Sequence, residues 1–415
     1  MVLGRTPLIV DAEMRVLVIN SGSSSIKFRL VDLVEESTGG LAVRPAVRQG
    51  TVKGIGSTAS FELIDGQTHR STNSVEVRDH AQALRVIFDG LADTLGGIEA
   101  VGHRVVHGGE RYRESVLITD QVEADIDALS ELAPLHNPPS LAAIRGTRKM
   151  VGASVPMVAV FDTAFHHTLP SKARIYALPH ELAARHRIRR YGFHGLSYEY
   201  IASVLPDVAP EIAGKRIIVA HLGSGASMCA MKGGKGVDNT LGFTALDGLC
   251  MGTRPGALDP GVVLYLFQNR GLSVREVESI LYKKSGLLAI SGVSNDMREL
   301  LASSDPRASL AVDYFVYRVA KEIGALTAVL GGIDGFVFTA GIGENSAEIR
   351  RRICEASSWL GIQLDTAANE RRGPRISSPQ SKVPVWVIPT NEELMIARHT
   401  GALLGLLEPA HTPPN

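Results

Sequence analysis

The stretch Val16-Leu17-Val18-Ile19-Asn20-Ser21-Gly22-Ser23-Ser24-Ser25-Ile26-Lys27-Phe28-Arg29-Leu30 decides the fold. A β-branched run, a Gly/Ser turn and an alternating apolar–polar segment predict a buried strand, a tight turn and a second strand. Nearly half the 415-residue chain later the pattern returns, as Ile217-Ile218-Val219-Ala220, then His221-Leu222-Gly223-Ser224-Gly225-Ala226-Ser227, then Met228-Cys229-Ala230-Met231. The simplest account is two domains of one topology, each opening on such a hairpin. A chain of this length accommodates two domains, each with its own core.

Outward from the hairpins, strand-like segments (Val155–Phe161, Gly335–Thr339, Val383–Ile388) alternate with helical patterns at Val122–Leu132, Ser140–Met150, Ala311–Leu330 and Asn391–Leu406. This is a mixed α/β pattern with helices over largely buried sheets. The Pro-, Ser- and Arg-rich stretch Arg371–Lys382 reads as a surface loop. No long linker separates the halves, so the domains are expected to face each other across a cleft.

The charge count, 43 Lys+Arg against 43 Asp+Glu, argues against a surface built for nucleic acid or an anionic membrane. Any anion must be met locally. The longest uncharged run, Ile217–Met231, is too short and too rich in Gly, Ser and His to span a bilayer. Residues Met1–Glu13 lack the layout of a secretory signal, and three scattered cysteines, Cys229, Cys250 and Cys354, suit a reducing, cytoplasmic setting.

Several segments carry chemistry. The turns Asn20–Ser25, with Lys27 close behind, and Gly223–Ser227 present backbone N–H groups and small hydroxyls that let a phosphate approach closely. Ala340-Gly341-Ile342-Gly343-Glu344-Asn345-Ser346 follows a strand and reads as a Gly-rich turn leading into a helix from Ser346, suited to a nucleotide. It lacks the third glycine of the dinucleotide fingerprint, and no Walker-type P-loop occurs in the chain. Thr390 and Glu393 have capping-box spacing, which leaves Glu392 over as a candidate Mg²⁺ ligand, with Asn20 offering an amide oxygen from the other domain. Arg104 and Arg254 lie in glycine-containing segments, where a guanidinium can clamp carboxylate or phosphate. His136, Asp162 and His194 are further polar groups at element ends. Each of these features alone is equally at home in a structural role; together they suggest a site for an anion.

In order along the chain, VINSGSSSIKF (18–28), GHRVVHGGE (102–110), APLHNPP (133–139), VFDTAFH (160–166), YGFHGLS (191–197), MGTRPG (251–256), SNDMRE (294–299), TAGIGENS (339–346) and PTNEE (389–393) resemble the acetate kinase family. These are ATP:acetate phosphotransferases of the acetate and sugar kinase, heat-shock chaperone and actin superfamily. The resemblance implies two ribonuclease H-like α/β domains of duplicated topology with the active site in the interdomain cleft: 1–163 with 394–415, and a nucleotide-binding domain at 164–393. It implies Mg²⁺ (or Mn²⁺) at Asn20 and Glu392. Nucleotide contacts are implied for Ser23, Ser25, Lys27, the turn His221, Leu222, Gly223, Ser224 and Gly225, then Asp296, Met297 and Arg298, and Gly341, Ile342, Gly343, Glu344 and Asn345.

For the acceptor and the transferred phosphoryl, the resemblance implies Arg104 and Arg254, with His194 stabilising the transition state, Asp162 essential and His136 nearby. Val106, Leu135 and Phe193 would form a small pocket for the acetate methyl. The implied reaction is ATP + acetate ⇌ ADP + acetyl phosphate, in a cytoplasmic homodimer with no nucleic-acid or membrane partner. Two positions depart from the family pattern. Ser224 stands where Asn is usual in the phosphate turn, and Ala245 stands where Pro often lines the methyl pocket, which opens propionate as an alternative acceptor.

Overall fold

The structure, a computed structural model, describes residues 13–22, 24–35, 41–66 and 68–405. The chain divides into two compact units, Met1–Ala164 with Glu392–Asn415, and Phe165–Asn391. The second boundary falls at 391/392 rather than the expected 393/394, so Glu392 and Asn20 belong to one unit and not to opposite domains.

The first unit holds, among its described residues, β1 (Glu13–Ser21), β2 (Ser25–Glu35), β3 (Leu41–Val43), β4 (Arg48–Lys53), β5 (Ser57–Asp65), β6 (Thr68–Val77), β7 (Ala100–Val105), β8 (Val116–Leu117) and β9 (Met157–Phe161). Their order is β6-β5-β4-β2-β1-β7-β9-β8, with β3 beside β2. β1 runs antiparallel to β2 and parallel to β7, and β7 runs parallel to β9. Alternation along β1 sorts the two faces. Leu17 and Ile19 enter a core with Leu84, Ile87, Phe88 and Ile144 from the helices His80–Gly90 and Asn137–Val151. On the opposite face Gly102, paired with Val18, must be glycine: a Cβ there would come within 2.4 Å of Thr400 Oγ1. The helix Glu392–Leu403 lies against that face.

The second unit has β10 (Ile217–Leu222), β11 (Ala226–Lys232), β12 (Lys235–Asn239), β13 (Gly335–Thr339) and β14 (Val385–Val387), in the order β12-β11-β10-β13-β14. β10 is antiparallel to β11 and parallel to β13, and β13 is parallel to β14. This repeats the path β4-β2-β1-β7-β9 strand for strand and direction for direction, the duplicated ribonuclease H-like arrangement expected from the two hairpins. One face packs Ile217, Val219 and Val337 against Tyr198, Ile201 and Leu205 of the helix Gly195–Val208. The long helix Pro306–Leu330 packs on the sheet and on neighbouring helices, and buries residues that include Ala308, Ala311, Phe315, Val319 and Ile323. Asp305 caps it by accepting the Arg307 N–H, Pro306 occupies its first turn, and Gly331 ends it with φ 67°.

Three expectations change. The segment Ala340–Asn345 is itself a short helix, followed by a second at Ala347–Ala356, and Trp359 lies beyond both. The 371–382 stretch is irregular as expected, but bridges at Leu364↔Ser377 and Arg375↔Trp386 tie it down and bury Ile376. The Thr390–Glu393 capping box does not form: Thr390 donates its N–H to Glu344 Oε1 at 3.0 Å, and its buried hydroxyl has no hydrogen bond. No described helix is long and apolar enough to cross a membrane.

Candidate active site

In the first unit the chemistry gathers at one end of β1, β7 and β9. Asn20, buried near the end of β1, pairs in register with Lys27 on β2. The connecting turn closes through the Gly22 N–H donating to Ser25 O at 2.8 Å, and His80 holds Gly22 O at 2.7 Å. Ser23 lies outside the described residues. Arg104 is the last residue but one of β7, and Asp162 follows β9 directly, its N–H donating to Val105 O at 3.0 Å. The parallel pairing therefore sets Arg104 beside Asp162, and the guanidinium donates through Nε (3.1 Å) and through Nη2 to Asp162 Oδ2. Arg104 Nη1 reaches Asn20 Oδ1 at 3.5 Å. Burial works against the charge on Arg104, but Asp162, Glu392 and Glu393 outweigh it and hold the guanidinium protonated more firmly than a free arginine.

The loop after Arg104 is tied down. Asn137, fully buried, accepts the His107 N–H at 3.2 Å and donates to His107 O at 3.1 Å, and the Gly108 N–H donates to Thr163 Oγ1 at 3.0 Å. Val106 is buried, while Leu135 and His136 are half-buried just before the helix that Asn137 starts.

Asn20 Nδ2 donates to Glu392 Oε2 at 3.2 Å and Glu393 Oε1 at 3.0 Å, and Lys27 Nζ stands 3.9 Å from Glu393. Glu393, assigned to a cap by local spacing, thus joins the group around Asn20. Two adjacent carboxylates suit a Mg²⁺ that arrives with phosphate and keeps several waters. Asn20, expected to offer its amide oxygen, turns its Nδ2 to them and its Oδ1 to Arg104, so the amide must rotate before it can join such an ion. No cluster of three or more His, Cys, Asp or Glu, as a dedicated metal cage would need, occurs among the described residues.

In the second unit a different set converges. His194 adopts φ 58°, a left-handed backbone unusual outside glycine, immediately before the helix Gly195–Val208. Its ring stacks on His221, centroids 4.2 Å apart and planes within 15°. His194 Nδ1 meets Ser227 Oγ at 2.7 Å, and His221 Nδ1 meets Ser197 Oγ at 2.8 Å. Arg254 donates through Nη1 to Ala245 O at 2.8 Å. Its loop is held by the helix Gly286–Ser291, whose Leu287 and Leu288 N–H groups donate to Met251 O (2.9 Å) and Gly252 O (3.0 Å). Gly225 completes the group: a Cβ there would lie 3.1 Å from Arg254 Nη2 and 3.4 Å from His194 Nε2. Both donors therefore face the bare side of the Gly223–Gly225 turn. Among the described residues no carboxylate pairs with Arg254, and burial pulls its pKa below that of an ordinary arginine. A half-buried cation without a counter-charge is a receptor for an anion.

The other nucleotide candidates show structural work. Asp296 caps the helix Met297–Ala302 by accepting the Arg298 N–H at 2.8 Å and pairs with the Arg298 side chain; Met297 is buried. Gly341 and Asn345 lie exposed on the short helix, while Ile342 is half-buried and Gly343 buried. Glu344 Oε1 accepts the N–H groups of Ala340 (2.8 Å) and Thr390 (3.0 Å). Arg350, fully buried, donates to the carbonyls of Gly343 (2.9 Å) and Glu344 (2.8 Å) and to Asn369. It satisfies the last carbonyls of the short helix. Phe193 is buried beside His194, and Ser224 is exposed in the turn. Glu393, Ser197, Tyr198, Ser227, Asn137 and Arg350 were missed as contributors; all but Asn137 and Glu393 act inside the second unit.

Paired glycine-bearing hairpins on one repeated topology, each next to an arginine and polar side chains, define an α/β enzyme built to handle anionic groups. The chain belongs to the acetokinase family, whose model matches residues 15–398. It is accordingly a kinase, a phosphotransferase with a carboxyl group as acceptor. It is 50% identical over 394 residues to an acetate kinase of Rhodopseudomonas palustris, covering 93% of this chain and 98% of that one. It is 52% identical over 394 residues to an acetate kinase of Nitrobacter hamburgensis, covering 94% and 96%. Among solved structures, Porphyromonas gingivalis acetate kinase superposes with a TM-score of 0.81 at 39% identity, covering 94% of this chain and all of that one. A Francisella tularensis propionate kinase superposes with 0.85, also at 39% identity and covering 94% of this chain and 100% of that one.

Proposed function

We propose that the enzyme transfers the γ-phosphoryl group of ATP to acetate, reversibly, by a single in-line displacement. The observation that carries this is the convergence of Arg254 and His194 on the uncovered face of Gly225, with no carboxylate among the described residues paired to Arg254. Acetate titrates near pH 4–5 and is already ionised at neutral pH, so it needs no general base. The obstacle is repulsion between anions. In the second unit Arg254 and the N–H groups of the Gly223–Gly225 turn offset it by meeting charge on the transferred oxygens, with His194 donating to them; Arg104 in the first unit is a further guanidinium suited to carboxylate or phosphate. Asp162, bound to Arg104 Nε and Nη2, orients that guanidinium and accepts no substrate proton. Asn20, Glu392 and Glu393 would hold Mg²⁺ or Mn²⁺ brought with the nucleotide. Such an ion supplies charge neutralisation on the β- and γ-phosphates.

Propionate is the second acceptor to consider. Ala245, whose carbonyl fixes Arg254, brings less bulk than proline, and one methylene shifts selectivity by only about 1–3 kcal/mol. A cytoplasmic homodimer completes the proposal, supported by three buried free thiols and by the apolar helix Pro260–Gln268, none of whose residues is buried within the chain. Trapping acyl phosphate with hydroxylamine tests the activity. Hydroxamate should require ATP, Mg²⁺ and acetate together, and its absence with acetate would overturn the assignment. Rates with acetate, propionate and butyrate order the acceptors. Inversion at chiral phosphorus is expected, and retention would exclude a single displacement.

A further inference from the structure

Behind His194 stands a pair of hydroxyls to which the reading above gives no task. Ser227, fully buried on β11, lies 2.7 Å from His194 Nδ1, and the fully buried Tyr198 hydroxyl lies 2.5 Å from the same Ser227 Oγ. We propose that Ser227 and Tyr198 are positioning residues that hold His194 as a neutral Nε2–H donor aimed at the transferred phosphoryl group. The proposal rests on the reading that His194 contacts that group.

The geometry leaves two ways to place the protons along this chain. In one, Tyr198 O–H donates to Ser227 Oγ, Ser227 O–H donates to His194 Nδ1, and the ring carries its proton on Nε2. In the other, His194 Nδ1–H donates into Ser227 and Nε2 becomes an acceptor, a base. An acceptor that is already a carboxylate gives a base nothing to remove, whereas phosphoryl oxygens gaining charge call for a donor. Nε2 is the atom that faces the bare side of Gly225, alongside Arg254 Nη2. A second positive charge on His194 is opposed by the Arg254 guanidinium at the same bare side of Gly225, while the His221 ring stacked at 4.2 Å, itself pinned at Nδ1 by Ser197, fixes the plane of the His194 ring. The left-handed backbone at His194 sets where the ring starts, and the Tyr198–Ser227 pair fixes its rotation and its tautomer.

Ser227→Ala, Tyr198→Phe, His194→Gln and the double variant Ser227→Ala/His194→Gln test this in the full-length enzyme. His194→Gln should lower kcat by at least about a hundredfold. Ser227→Ala should lower it about tenfold and Tyr198→Phe by less, the scale of one lost hydrogen bond, with KM for ATP and the carboxylate within about twofold. Added to His194→Gln, Ser227→Ala should cost nothing further. In ¹⁵N-labelled protein, the His194 signals, identified by their loss in His194→Gln, should show Nε2 protonated and Nδ1 bare, and Ser227→Ala should mix the tautomers. A proton on Nδ1 would overturn the proposal. So would wild-type kcat in both hydroxyl variants while His194→Gln is impaired, or an undiminished effect of Ser227→Ala in the double variant. Wild-type turnover of His194→Gln would instead overturn the underlying reading, and the proposal with it.

Discussion

Gly225→Ala is the smallest change that probes the anion-binding face of the second unit. The added methyl would stand 3.1 Å from Arg254 Nη2 and 3.4 Å from His194 Nε2, against an ordinary carbon contact of about 3.5–4.0 Å. Neither neighbour can simply step aside. Arg254 is held at Ala245 O by a 2.8 Å bond, and His194 is pinned at Nδ1 and stacked on His221. More important, the methyl fills the space that a phosphoryl oxygen would occupy at about 2.7–3.1 Å from both donors. Loss of one such donor costs about 2.7–4 kcal/mol, and losses within a cooperating group do not add, so kcat should fall about 10²- to 10³-fold. Stability should fall by about 1–3 kcal/mol, the scale of an overpacked contact, offset only slightly because Gly225 does not have a positive φ and alanine restricts the unfolded chain. Steady-state hydroxamate assays and urea unfolding separate the two effects. Turnover within about threefold of wild type in a folded variant would refute the placement of the anion against Gly225.

Three further outcomes follow from other parts of the molecule. Asp162→Asn removes the charge opposite the mostly buried Arg104 guanidinium, so stability should fall by about 3–5 kcal/mol and turnover should drop without rescue at high pH; such rescue would mean that Asp162 works as a base. Burial holds His103 down to about 3 and His166 to about 4, against an ordinary 6.5, so both stay neutral in the fold while the unfolded chain takes up protons. Their contribution is therefore complete above pH 6.5 and is lost as pH falls from there toward 4, by about 1.4 kcal/mol per unit for each histidine; urea midpoints at pH 7 and pH 5 check it, and equal values would refute it. Arg350→Met leaves the carbonyls of Gly343, Glu344 and Asn369 buried without their donor, which should cost about 3 kcal/mol or more and raise KM for ATP, read by unfolding and initial rates.

Much of the fold was legible because its centre is apolar and periodic. Val16–Ile19 and Ile217–Ala220 are runs that only a buried strand accommodates, and their Gly/Ser turns mark where each hairpin folds back. The strands β4 to β6, which extend the first sheet to its β6 edge, were not legible. Segments such as Thr68–Val77, THRSTNSVEV, carry no apolar alternation and become strands by pairing with a neighbour already in place. The short helix Ala340–Asn345 was hidden by two glycines that favour a turn; Glu344 and Arg350, which tie both its ends, act through partners the local sequence does not announce. The site divides in the same way. Arg104, Asp162, His194 and Arg254 stood out by residue type at element ends. Glu393 did not, because its spacing from Thr390 imitates a helix cap, whereas its actual partner Asn20 lies 373 positions away.

The helix Glu392–Leu403 completes a core whose strands were made long before it. As the chain leaves the ribosome, Gly102 and the β1 face beside it wait for Ile396 and Thr400 while all of Phe165–Asn391 is synthesised, on the order of tens of seconds. The later-made unit can thus close first, and the earlier one sits with an open apolar face that a chaperone or a wrong partner can occupy. Lesions in this late helix should therefore surface as poor yield of the first unit rather than as a local defect at the end of the chain.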